Sequence, residues 1–158
     1  MKICVYGAGA IGGLIAAWLS RSGHDVSVVA RGAQLEAIRK EGLRVRDRAS
    51  GKVESFKVAT SASGPQDYVI VALKAQNLTE VQIQKLLGEE TSIVTAMNGV
   101  PWWFFDRLQF GNGKHRLESL DPNGSLARAM STRASGSMSA STPTARPIAS
   151  TSRMIVTM

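Results

Sequence analysis

Cysteine is close to absent from this 158-residue chain: Cys4 is the only one. No intrachain disulfide can form, which excludes a disulfide-built scaffold and fits a reducing, cytoplasmic setting. Cys4 sits inside an apolar run, where a thiol serves as a small core residue rather than a nucleophile. No run is long and apolar enough to span a membrane. Lys2 and the apolar residues up to Leu19 imitate a signal peptide, but glycines at 7, 9, 12 and 13 interrupt them and a second strand follows. Acidic residues are few, 12 against 19 Lys and Arg, for a net charge of +7. That charge invites a nucleic-acid reading. The basic residues form no single long run, however. Arg39, Lys40, Arg44, Arg46, Arg48, Lys52 and Lys57 fall on a helix end and a hairpin, as on a solvated face. No nucleic-acid partner, membrane partner or metal site is expected.

What is present is a glycine pattern. Gly7-Ala8-Gly9-Ala10-Ile11-Gly12 follows an apolar strand, Ile3-Cys4-Val5-Tyr6, and enters a helical pattern at Ile11, Leu14, Ile15, Trp18 and Leu19. Strand, G-x-G-x-x-G and helix in that order are the context in which the motif binds a dinucleotide. The first glycine permits a tight turn, the second admits the pyrophosphate, and the third lets helix and strand pack. The helix N-terminus then offers free N–H groups and the positive end of a dipole.

A missing carboxylate selects the nucleotide. An NAD site has Asp or Glu at the end of the second strand, on the ribose 2′-hydroxyl. Here Val26-Ser27-Val28-Val29-Ala30 ends in Arg31-Gly32, and Asp25 is at the other end. A carboxylate repels a 2′-phosphate and a guanidinium pairs with it. The expected cofactor is NADP.

Further along, a short helix over about 33–41 ends at Gly42. Leu43–Arg46 and Val53–Val58 alternate around Ala49-Ser50-Gly51, as in a hairpin. Asp67–Leu73 is a continuous apolar run, expected of a strand buried on both faces. Asn77 caps a helix carrying Leu78, Val81, Ile83, Leu86 and Leu87, and Ser92–Met97 is the next strand. This alternation predicts an α/β, Rossmann-like, doubly wound parallel sheet. Ligands of such sheets bind beyond the carboxyl ends of the strands. Arg31, Lys74 and Asn98 fall there. Asn98 precedes Gly99, so it either forms a turn or offers its carboxamide to cofactor or substrate.

Four segments together resemble the N-terminal NADP-binding domain of the ketopantoate reductase (2-dehydropantoate 2-reductase) family. They are Met1-Lys2-Ile3 with Gly7–Gly13, Val29-Ala30-Arg31-Gly32, Val69–Gln76, and Met97-Asn98-Gly99-Val100. The resemblance implies NADPH-dependent reduction of 2-dehydropantoate to pantoate, a step of pantothenate biosynthesis, with a small 2-oxoacid as substrate. It implies cofactor contacts from Gly7, Ala8, Gly9, Ala10, Ile11 and Gly12. It further implies that Arg31 meets the 2′-phosphate and that Lys74 and Asn98 face the nicotinamide, Asn98 also touching substrate. Pro101-Trp102-Trp103-Phe104-Phe105 departs from the simplest family members, which leaves another 2-oxoacid open as the substrate; the cluster itself is expected to pack or to dock a second domain.

The resemblance covers residues 1–130, the expected nucleotide-binding domain. The family's helical second domain, with its catalytic lysine, is not expected within this chain, and no catalytic residue is assigned. At Ser131 the composition changes: 131–158 hold seven Ser, five Thr and three Arg, with no Asp or Glu. Such a segment is expected to be disordered, and no strand is expected after Met130. A frameshift yielding a truncated product accounts for it better than a native low-complexity tail. The alternative function is then a catalytically incompetent NADP-binding fragment.

Overall fold

The computed structural model describes residues 1–74, 77, 83–96, 117–119, 121, 123–129 and 154–156. Its centre is β1 (Lys2–Tyr6), whose residues Ile3 to Tyr6 are all buried. On one side β1 pairs in parallel with β2 (Asp25–Val29), on the other with β5 (Tyr68–Val71). β6 (Ser92–Thr95) continues the parallel sheet beyond β5. Burial on both faces is what a run such as Ile3-Cys4-Val5-Tyr6 requires. Cys4 and Tyr6 join Val69, Val71, Ile83, Leu86, Ile93 and Leu126 on one face. Val5 and Val28 join Ala16, Ala17, Ile38 and Leu43 on the other.

The helix after the glycine motif, α1 (Ala10–Arg21), is present, but its orientation corrects the sequence reading. The buried residues are Gly12, Gly13, Ala16 and Ala17. Ile11 and Trp18, expected to face inward, are 60% and 61% exposed. Close approach explains the inversion: a Cβ on Gly12 would meet the Gly7 carbonyl oxygen and the Ala72 methyl. Only small residues fit at this closest approach, so Ile11 and Trp18 turn outward while Ile15 and Leu19 pack at the margin of the core.

The second helix, α2 (Gly32–Glu41), ends at Gly42, whose φ of 78° and amide bond to the Ile38 carbonyl close the last turn. β3 (Leu43–Arg46) and β4 (Val53–Phe56) form the expected antiparallel hairpin as a separate two-stranded sheet. The second strand stops short of Val58. Ala59 instead bridges β2, donating to the Val26 carbonyl at 3.2 Å and accepting from Val28 at 2.7 Å. In the helix expected from Asn77, Ile83 and Leu86 are buried as predicted. Leu78 and Val81 lie outside the described residues.

Downstream, α3 (Ser125–Ala129) seats Leu126 in the core. The buried Asp121 carboxylate accepts the Leu126 amide at 3.0 Å. The expectation of disorder throughout 131–158 needs correction at three residues. β7 (Met154–Val156) pairs in parallel with β6, giving the order β2-β1-β5-β6-β7. Met154-Ile155-Val156 is an apolar triplet with two β-branched residues, and the edge of β6 offers it a ladder.

Candidate nucleotide-binding crevice

The strands end in one row. Tyr6 is in register with Val29 and Val71, and Val71 with Thr95. Three chain exits follow from this row. Gly9 lies three residues beyond Tyr6, Arg31 two beyond Val29, and Lys74 three beyond Val71. Asn98 and the aromatic cluster at 101–105 lie outside the described residues.

Two contacts hold the exits together. The Gly7 amide donates to the Val29 carbonyl at 3.0 Å, fixing the glycine loop to the end of β2. On the other side, a Cβ on Gly7 would lie 2.7 Å from the Leu73 side chain, so the exit of β5 abuts the same loop. Gly7 has φ of 107°, a backbone conformation that favours glycine. Gly7 and Gly12 are thus explained by the fold alone.

Gly9 is not. It caps α1 with φ of −67°, ordinary for any residue, and a Cβ there would meet nothing within 4 Å. The space in front of it is open, and Gly9, Ala10 and Ile11 are exposed while Ala8 is buried. No side chain caps α1 and its first turn holds no acid. The N–H groups of that turn therefore face outward with the positive end of the helix dipole. A glycine that the fold does not need, beside uncapped amides, fits a bound pyrophosphate.

A second helix N-terminus lies next to the first. Arg31 is the exposed N-cap of α2, in extended conformation, and the first turn of α2 also lacks acidic residues. Asp25 pairs with Lys2 at the opposite edge of the sheet. Among the described residues, the end of β2 thus combines a guanidinium with a helix N-terminus, a setting that suits an anion. Lys74 is exposed at the third exit, its carbonyl accepting the Asn77 amide at 2.9 Å.

Sequence reasoning missed Gln34. Its side-chain amide donates to the Ala8 carbonyl, joining the first turn of α2 to the glycine loop. A polar residue on a solvated helix gives no periodic signal, so nothing in the sequence singles it out. A cavity of about 410 Å³ lies between α2 and the hairpin, lined by Gln34, Ile38, Glu41, Leu43, Arg44 and Val53 among others. None of the sequence-predicted site residues lines it. No helix among the described residues is long and apolar enough to cross a membrane, and no metal-binding cluster occurs among them.

Residues 3–101 match the family model of ketopantoate reductase PanE/ApbA. A 2-dehydropantoate 2-reductase of Mesorhizobium japonicum is 47% identical over 131 residues, 80% of this chain and 40% of that protein. The chain therefore spans well under half the length of that relative. The crystal structure of a candidate ketopantoate reductase from Ralstonia solanacearum superposes with a TM-score of 0.74 at 43% identity, covering 84% of this chain and 42% of that one. D-mandelate dehydrogenase, solved with NADH and anilino(oxo)acetate, superposes with a TM-score of 0.56 at 27% identity, covering 64% of this chain and 34% of that one.

Proposed function

Because the chain belongs to the ketopantoate reductase PanE/ApbA family, we propose that its crevice binds NADPH for the reduction of 2-dehydropantoate to pantoate. The observation that carries this reading is the open space before Gly9, beside the uncapped N-terminus of α1. When bound there, NADPH supplies the hydride that converts a 2-oxoacid to a 2-hydroxy acid.

The residues of this chain divide the work of binding. Gly7, Ala8, Gly9, Ala10, Ile11 and Gly12 present backbone to the pyrophosphate. Arg31 pairs with the 2′-phosphate, favouring NADPH over NADH. Lys74 and Asn98 hold the nicotinamide end, where the carboxamide of Asn98 also bonds the substrate. The Ralstonia and Mesorhizobium proteins direct the substrate reading toward 2-dehydropantoate. The mandelate dehydrogenase, with its bound oxo compound, keeps another 2-oxoacid as the second reading. The nucleotide-binding domain is residues 1–130, and the lone buried Cys4 suits the cytoplasm.

Reduction of a ketone also needs a positioned proton donor. The family resemblance assigns that role to a lysine in a further domain, and this chain spans 40% of the Mesorhizobium protein. We therefore assign these residues to nucleotide binding, and the proton donor to that further domain of the family. Fluorescence titration with NADPH, followed by an assay with 2-dehydropantoate, tests both parts. Saturable NADPH binding without turnover is expected. Absence of binding overturns the cofactor reading, and turnover by these residues alone overturns the assignment of catalysis to the remainder.

A further inference from the structure

Gln34 joins two loops that the dinucleotide must bridge, and this contact orients a backbone amide. The acceptor is the carbonyl of Ala8, one residue before Gly9. The described chain contains no cis peptide bond. Across a trans planar peptide, the carbonyl of one residue and the N–H of the next point in opposite directions. A side chain that grips the Ala8 carbonyl from α2 therefore turns the Gly9 N–H away from α2. Gly9 is where the space is open.

The same contact reaches the other phosphate site. Gln34 lies in the first turn of α2, three residues from its N-cap, Arg31. Ala8 is 3% exposed, and the Gly7 amide already holds the loop to Val29. The glycine loop is thus tied to the β2–α2 corner twice, once by backbone before the turn and once by the Gln34 side chain within it. Without the second tie, the Ala8–Gly9 peptide is free to rotate and α2 to shift relative to the loop.

We propose that Gln34 is a positioning residue for the dinucleotide, aiming the Gly9 amide at the pyrophosphate and fixing its distance from the Arg31 corner. The proposal rests on the nucleotide-binding reading of the crevice. Its role is to couple the two anion sites, so the effects of changing Gln34 and Arg31 are not independent.

A double-mutant cycle tests it. NADPH and NADH are titrated against the wild-type chain, Gln34→Ala, Gln34→Glu, Arg31→Ala and the Arg31→Ala/Gln34→Ala pair, with thermal midpoints measured alongside. Loss of one hydrogen bond predicts about 3–10-fold weaker binding of both nucleotides by Gln34→Ala. Gln34→Glu, which cannot donate and adds negative charge, is expected to lose more at low salt than at high salt. The double variant is expected to lose less NADPH affinity than the product of the single losses. In ¹⁵N spectra, the shift of the Gly9 amide on NADPH addition is expected to shrink in Gln34→Ala while the thermal midpoint stays put. A purely structural role would move the midpoint instead. Wild-type affinity for both nucleotides in Gln34→Ala, or strictly multiplicative losses in the cycle, overturns the proposal and leaves the nucleotide reading standing. Failure of the wild-type chain to bind NADPH overturns both.

Discussion

A Cβ on Gly12 would collide with the carbonyl oxygen of Gly7. The first turn of α1 rests on the loop that leads into it, and a side chain at 12 forces the two apart. Gly12→Ala is expected to lower stability by about 1–3 kcal/mol, the usual cost of overpacking. Urea denaturation reads this directly. An unchanged midpoint would show that loop and helix separate without strain.

Gly9→Val gives the opposite pattern. The site is open and its backbone suits any residue, so the change in stability is expected to stay within about 1 kcal/mol. NADPH binding, by contrast, is expected to fall at least about tenfold, because the isopropyl group fills the space a pyrophosphate needs. A folded Gly9→Val chain with wild-type affinity places the pyrophosphate somewhere else.

Arg31→Ala separates the two nicotinamide nucleotides. A charge-assisted contact to the 2′-phosphate contributes about 1.5–3 kcal/mol. NADPH affinity is therefore expected to drop about 10–150-fold, with little change for NADH. Equal losses in the two titrations would show that Arg31 does not read the phosphate.

The hairpin turn carries its own pH dependence. Asp47 Oδ1 accepts the amides of Ala49 at 2.7 Å and Ser50 at 2.9 Å. These backbone donors, Ser50 foremost, hold the carboxyl below its ordinary value of 3.8. A depressed folded-state pKa means that the turn is stabilised above the unfolded value and loses that contribution as pH falls through the folded one. The Ala49 and Ser50 amide shifts are expected to titrate together with a midpoint below 3.8, and Asp47→Asn to abolish the titration. A midpoint at or above 3.8 would contradict the hydrogen bonding.

Cys4 provides a probe of global unfolding. Burial raises its thiol pKa, against the opposing hydrogen bond with Ser27. A buried, protonated thiol reacts poorly. A disulfide reagent at pH 8 is expected to label the native chain at the rate of unfolding and the chain in urea at once. Rapid labelling in native buffer would mean that β1 opens locally.

The strands and the crevice were legible because their signals are local. Tyr6, Val29, Val71 and Thr95 lie within apolar runs, two of which the sequence reading carried about two residues past the observed strand ends, and Gly7 to Gly12 lie between a strand and a helix. The facing of α1 was not legible. Ile11, Leu14, Ile15, Trp18 and Leu19 make a helical stripe that periodicity assigns to the core, yet the approach of Gly12 to Gly7 brings the small residues inward, exposes Ile11 and Trp18 and leaves Ile15 and Leu19 at the margin of the core. A rule based on hydrophobic spacing does not weigh interaxial distance. Gln34 was invisible because its partner is 26 positions away and its value lies in one carbonyl. β7 escaped because three apolar residues in a Ser- and Thr-rich segment reveal nothing until an edge strand is known.

The place of β1 in the sheet has a consequence for how the chain is made. Its two ladders are bonded to partners synthesised at different times: β2 begins at Asp25 and β5 only at Tyr68. At ribosomal speeds on the order of 5–20 residues per second, roughly 3–12 s separate the end of β1 from the start of β5. Once Val29 is made, β1 can pair with β2 across the α1 crossover, but its other ladder waits for β5. Until then the edge of Ile3-Cys4-Val5-Tyr6 that takes β5 stays open, uncharged and able to pair with neighbouring nascent chains on the same polysome. Slow codons between β2 and β5 would lengthen this exposure, and expression yield is expected to depend on translation speed there more than after Thr95.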